Sequence, residues 1–161
     1  DRDALAPFRG PLAARAAGDP EPLPYLSDPE DAALGGVGVV LEVYLQTEAM
    51  RAGRYPPYRL SRSDARDLYW TPGQLVAHHA SNGCNLRPGD LLGSGTVSGP
   101  DEQARGCLLE LTWRGSRPVT LPGGEVRRFL EDGDDVTLRA TCRAGGWVPI
   151  GFGECRGTVV S

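Results

Sequence analysis

Glu110 is the one carboxylate inside the run Cys107-Leu108-Leu109-Glu110-Leu111-Thr112-Trp113. The alternation predicts a strand with Leu109, Leu111 and Trp113 on one face and Leu108, Glu110 and Thr112 on the other. A carboxylate buried there without a partner would cost several kcal/mol, so the pattern calls for a partner. The ordinary alternative is a glutamate on a solvent-facing edge, where most glutamates sit. A second candidate lies in Gly95-Thr96-Val97-Ser98-Gly99-Pro100. Small residues at Gly95-Thr96 let a ligand approach the backbone while a hydroxyl and an amide donate to its carboxylate, although Gly-Thr pairs are also common in turns.

The remaining reactive residue types offer less. His78 and His79 are the only histidines. Neighbours on a helix diverge by about 100°, so the two cannot easily share a metal, and His79 with Cys84 has no recognised zinc spacing. They are expected to be structural, hydrogen-bonded beneath the site. Asp132-Gly133-Asp134-Asp135 lacks the spacing of a calcium-binding helix-loop-helix and reads as a solvated hairpin turn. No metal ligand is identified in the chain.

These groups need elements to hold them. Residues 36 to 48 are rich in Val, Leu and Tyr and predict a strand with Val39, Leu41, Val43 and Leu45 on one side and Val40, Glu42 and Tyr44 on the other. Arg51 to Arg66, with Pro56-Pro57, reads as an edge strand or loop. Thr71-Pro72 is a helix start, Leu75, His78 and His79 share a face of helix 72–81, and Asn82-Gly83 supplies a left-handed stop. Arg87-Pro88-Gly89-Asp90 turns into an expected strand over 91–97. Further short strands are expected around Val119, Val126 to Leu130, Asp135 to Cys142 and Glu154 to Val160, separated by Gly-rich turns in an antiparallel meander or roll.

Composition bounds the rest. The 22 Gly and 14 Pro in 161 residues argue against a helical bundle and suit a loop-rich β architecture. All 17 cationic residues are arginine, so Schiff-base, P-loop and lysine-base chemistry lie outside what this chain does unaided. A net charge of -4 argues against nucleic acid as the main partner. No apolar run is long enough to span a bilayer, and none of the 161 residues reads as a signal peptide. The widely spaced Cys84, Cys107, Cys142 and Cys155 are expected to be reduced, mostly buried thiols of a cytoplasmic protein. The chain opens at Asp1 and its only methionine is Met50. Residues 1–35, rich in Pro, Ala and Asp, are expected to form an extended connector from a missing upstream region, and residues 36–161 to carry the core.

Tyr69 to Pro100, including the run from His78-His79 through Asn82-Gly83-Cys84-Asn85-Leu86-Arg87-Pro88-Gly89-Asp90, resembles the core of the fumarylacetoacetase family. The resemblance continues at Leu108 to Gly115, at Arg128 to Asp134 and at Ile150 to Gly157, so it covers nearly the whole chain. It implies a mainly β fold with a short helix, a mixed β-sandwich roll of the C-terminal type that is incomplete at its N-terminus. It also implies metal-dependent hydrolysis of a carbon–carbon bond of fumarylacetoacetate to fumarate and acetoacetate, a small diketo-acid substrate, a homodimer and a divalent cation, Mg or Ca, whose ligands lie upstream. By motif, Glu110 becomes a catalytic residue that supports a histidine base, also upstream, and Thr96 with Gly95 a substrate-binding pair. Two alternatives remain open: a hydratase, decarboxylase or isomerase of 2-oxo-diacids on the same fold, and a non-catalytic β-rich binding module.

Overall fold

The computed structural model describes residues 3–161. Its elements in chain order are a 3-10 turn at Asp3–Phe8, β1 (Arg9–Gly10), a second such turn at Pro24–Leu26, α1 (Pro29–Leu34), β2 (Gly36–Val37), β3 (Val39–Gln46), α2 (Glu48–Ala52), β4 (Tyr58–Asp64) and α3 (Pro72–Ala80). After a long irregular stretch come α4 (Leu108–Leu111), β5 (Val119–Thr120), β6 (Val126–Arg127), β7 (Asp135–Cys142) and β8 (Ile150–Thr158).

The alternation read in residues 39–45 builds the central sheet, antiparallel throughout in the order β4-β3-β7-β8. Register sorts its faces. Leu41 lies between Ser63 and Ala140, Val43 between Ser61 and Leu138, and Leu45 next to Val136, which makes one face apolar. The opposite face is a cross-strand ladder of charge: Arg59 pairs with Glu42 at 3.1 Å and Arg139 with Glu154 at 2.5 Å. The core gathers on the apolar side, where Leu45, Met50, Leu60 and Leu121 are buried together and Val43, Leu108, Leu111, Val119 and Val136 pack against them. This is the β-rich class with short helices that the sequence predicts, and β4 is the expected edge strand after Pro56-Pro57.

The helix start at Thr71 is a full capping box. Its hydroxyl accepts from the Gln74 amide at 3.0 Å, while the Gln74 side chain accepts from the Thr71 amide at 3.0 Å. Gly83, at φ 87°, is in the left-handed conformation just beyond the helix. Residues 3–35 run over the surface but are tied to α3: Thr71 donates to Asp31 at 2.5 Å, Gln74 to the Leu26 carbonyl at 2.9 Å, and the Tyr25 hydroxyl meets His78 Nδ1 at 2.8 Å.

Four local expectations are corrected. Residues 91–97 form no strand; Leu91 is 98% exposed and Gly95 sits at φ 80°, which a ladder position does not accommodate. The run 107–113 is not a strand either. Leu108 and Leu111, three apart, turn together onto the core, the buried Thr112 hydroxyl donates to the Leu108 carbonyl at 2.6 Å, and Trp113, Arg114 and Gly115 reverse the chain with positive φ. The acidic turn is solvated only at its tip. Asp134 is fully buried against Arg127 (Arg127 Nε donates to Oδ2 at 3.0 Å), and Asp135 is buried beneath Arg51, Arg156 and the Thr158 hydroxyl. Finally, all four thiols are free, but only Cys142 is buried, whereas Cys84 and Cys155 are exposed.

Candidate functional site

A hairpin-like return of the irregular chain brings the two sequence-predicted stretches side by side. Residues 95–98 run out, a short 3-10 turn at Glu102–Ala104 reverses the direction, and residues 105–110 run back into α4. The Gly99 amide donates to the Ala104 carbonyl at 2.8 Å and the Ala104 amide to the Asp101 carbonyl at 2.9 Å, closing the loop at its neck. Glycine is needed at two places here. A Cβ on Gly106 would fall 2.5 Å from the Thr96 methyl and closer still to the Val97 carbonyl oxygen; one on Gly99 would meet the Asp67 carboxylate at 2.6 Å. The close approach of the two arms therefore depends on the missing side chains.

Glu110 rides on α4 with its side chain turned to solvent, not on the strand face expected for it. It nonetheless has the partner its chemistry requires: the Ser98 hydroxyl donates to Glu110 Oε2 at 2.5 Å, and Ser98 Oγ in turn accepts from the Gly106 amide at 3.0 Å. Among the described residues Oε1 receives no hydrogen bond.

Gly95 and Thr96 line a cleft of about 370 Å³ whose far wall is the apolar sheet face, with Leu41, Val43 and Leu138 among its residues, and which extends to Phe152 and Gly153. That wall is shaped by a β-bulge. Arg139 faces Glu154 and Thr141 faces Gly151, so Phe152 and Gly153 together oppose Ala140, with Gly153 at φ 79° absorbing the extra residue. A second cleft of about 430 Å³, on the other side of Gly106, runs under Cys107, Leu108 and Leu111 toward Phe129 and Leu130. Glu110 lines neither cleft; Gly106 lines both. The return loop thus joins Thr96 and Glu110 through Ser98 and Gly106 without putting them in one pocket.

His78 and His79 stand apart from this site. His78 is held by Tyr25, and His79 Nε2 lies 3.3 Å from Cys84 Sγ, both pairs on the exposed side of α3 and so not beneath the site as expected. Among the described residues no three His, Cys, Asp or Glu side chains converge to hold a metal ion, so this stretch does not itself fit a divalent cation. Among them, too, no helix is long and apolar enough to cross a membrane. The roles of Ser98 and Gly106 escaped the sequence reading. The available signal was the spacing Thr96-x-Ser98, which in extended chain puts both hydroxyls on one side, and a glycine directly ahead of the Cys107-Leu108-Leu109 run.

Comparison with known proteins agrees with the resemblance. The family model described as "Fumarylacetoacetate (FAA) hydrolase C-terminal" matches residues 41–160. Fumarylacetoacetase of Arabidopsis thaliana is 46% identical over 158 residues, covering 98% of this chain, and fumarylacetoacetase of Homo sapiens is 43% identical over the same length. That of Caenorhabditis elegans is 46% identical over 142 residues, or 88% of the chain. The chain spans 35% of the length of the first two relatives and 32% of the third. With the match running from within β3 to just past β8 and the return loop inside it, the chain belongs to the fumarylacetoacetate hydrolase family.

Proposed function

We propose that this chain supplies the C-terminal part of the active site of a hydrolase that cleaves fumarylacetoacetate to fumarate and acetoacetate. The observation that carries the reading is the Glu110 carboxylate, held by Ser98 through one oxygen and open at the other, on the arm of the return loop whose Gly106 abuts Thr96. In the proposed reaction, Oε1 of Glu110 accepts the N–H of a histidine contributed by the remainder of the enzyme, which keeps the second ring nitrogen available as a base. That nitrogen takes a proton from water while the hydroxide adds to a ketone of the substrate. Collapse of the adduct breaks the carbon–carbon bond, its electron pair leaves on the acetoacetate side as an enolate, and the imidazolium returns the proton. Thr96 and the Gly95 backbone hold a carboxylate or carbonyl oxygen of the substrate. A divalent cation, Mg or Ca, belongs to the whole enzyme in this reading, with its ligands outside residues 1–161. The enzyme is proposed to be a cytoplasmic homodimer.

Glu110→Gln tests the assignment. In the complete enzyme it is expected to lower kcat by about two to four powers of ten, the usual scale for damaged general-base chemistry, followed as loss of fumarylacetoacetate ultraviolet absorbance. Wild-type-like turnover would remove Glu110 from the mechanism.

A further inference from the structure

We infer that Ser98 is a positioning residue that sets the orientation of the Glu110 carboxylate; the inference rests on the role proposed for Glu110 above. A glutamate on one exposed helical turn has three rotatable bonds and no packing to hold it, whereas proton relays require a fixed heavy-atom geometry. Ser98 supplies the restraint from across the loop, twelve residues away in sequence. Its hydroxyl is not free to choose a direction. One lone pair is taken by the Gly106 amide at 3.0 Å, so the O–H is left to point at Glu110 Oε2, 2.5 Å away. The amide itself is fixed because Gly106 is wedged against Val97 and the Thr96 methyl.

A chain of contacts thus runs from the backbone of the Thr96 arm, through Gly106, to the Ser98 oxygen and on to one carboxylate oxygen. The other carboxylate oxygen is left to face the reacting groups. Ser98 is half-buried, which shields this bond from competition by water more than the exposed carboxylate could do alone. A hydroxyl also suits the task better than a cation would, since it orients the carboxylate without neutralising the charge that polarises a histidine.

The test is a double-mutant cycle in the complete enzyme. Ser98→Ala is expected to lower kcat by about ten- to a hundredfold, the scale of a hydrogen bond to a charged group, with KM changed less than threefold. Ser98→Thr, which keeps the hydroxyl, recovers most of that loss. In a Glu110→Gln background, Ser98→Ala costs little more, because the group through which it acts has gone. The same fold loss in both backgrounds, or an effect confined to KM, overturns the inference. A slow Glu110→Gln enzyme beside a wild-type-like Ser98→Ala enzyme overturns it too, while leaving the Glu110 assignment standing. A wild-type-like Glu110→Gln enzyme removes both. If Ser98→Ala fails to fold, Ser98→Cys keeps the side-chain shape with a weaker donor and must show the same kcat loss.

Discussion

Asp135 shows how a single side chain can be charged, buried and stabilising at once. Hydrogen bonds from the Thr158 hydroxyl and from Arg156 hold its carboxyl below the usual carboxylate range, with the Arg51 and Arg156 charges adding to the effect against the opposing influence of burial. Because the folded pKa is depressed, the unfolded chain binds more protons near pH 4, and stability rises with pH there. The contribution is complete above the unfolded value near ~3.9 and is lost as pH falls through the folded one. Asp135→Asn is therefore expected to lower the melting temperature of the enzyme at pH 7 and to flatten its decline between about pH 5 and pH 3. An unchanged acid limb would place the pH dependence on other carboxylates. Sequence reading took this aspartate for part of a solvated turn because charge and glycine are what such turns contain. Its partners, Arg51, Arg156 and Thr158, lie 84, 21 and 23 residues away, respectively, and no local pattern announces them.

At the scale of elements, local signals were read correctly wherever short-range chemistry decides the outcome. The Thr71-Pro72 start of α3 is such a case: the cap, the proline and the reciprocal Gln74 bond all lie within four residues. Thr71→Ala is expected to cost roughly 1 kcal/mol for the lost cap, and more if Asp31 loses its donor as well, whereas Thr71→Ser retains most of both. Thermal denaturation of the two variants separates these outcomes; equal stability of all three proteins would remove the cap from the account. The strand β7 was likewise readable to the residue, Asp135 to Cys142, from its alternation and flanking glycines. The α4 region was not. Leu108-Leu109-Glu110-Leu111 fits period two and period 3.6 equally well over so short a run, and the decision was made by tertiary packing of Leu108 and Leu111 on Leu45 and its neighbours, together with the positive-φ reversal at Trp113 to Gly115. Residues 91–97 failed for a related reason, since β-propensity expresses itself only where a neighbouring strand is available to pair.

For the molecule as a whole, one amphipathic sheet organises everything else. Its charged face is self-sufficient, with Glu42, Arg59, Arg139, Glu154, Asp135 and Arg156 paired across strands. Its apolar face takes α4 and the return loop, which is how a core of modest size also comes to form the wall beside Thr96. The β-rich class was accessible from the sequence; the return loop that joins Thr96 to Glu110 was not, because it is held by two close glycine approaches and one serine hydroxyl rather than by any regular element. The same sheet gives the four cysteines very different chemical lifetimes. Cys142 closes β7, a strand paired on both sides, is fully buried, and has its thiol pushed up by that burial, whereas Cys84 and Cys155 meet solvent. A thiol in that position is inert toward an alkylating reagent until the strands around it part. Peptide-resolved labelling should therefore find Cys142 modified last of the four, with denaturant erasing the order. The interval before it reacts is a clock, wound by the fold itself, that reports how often the sheet comes open.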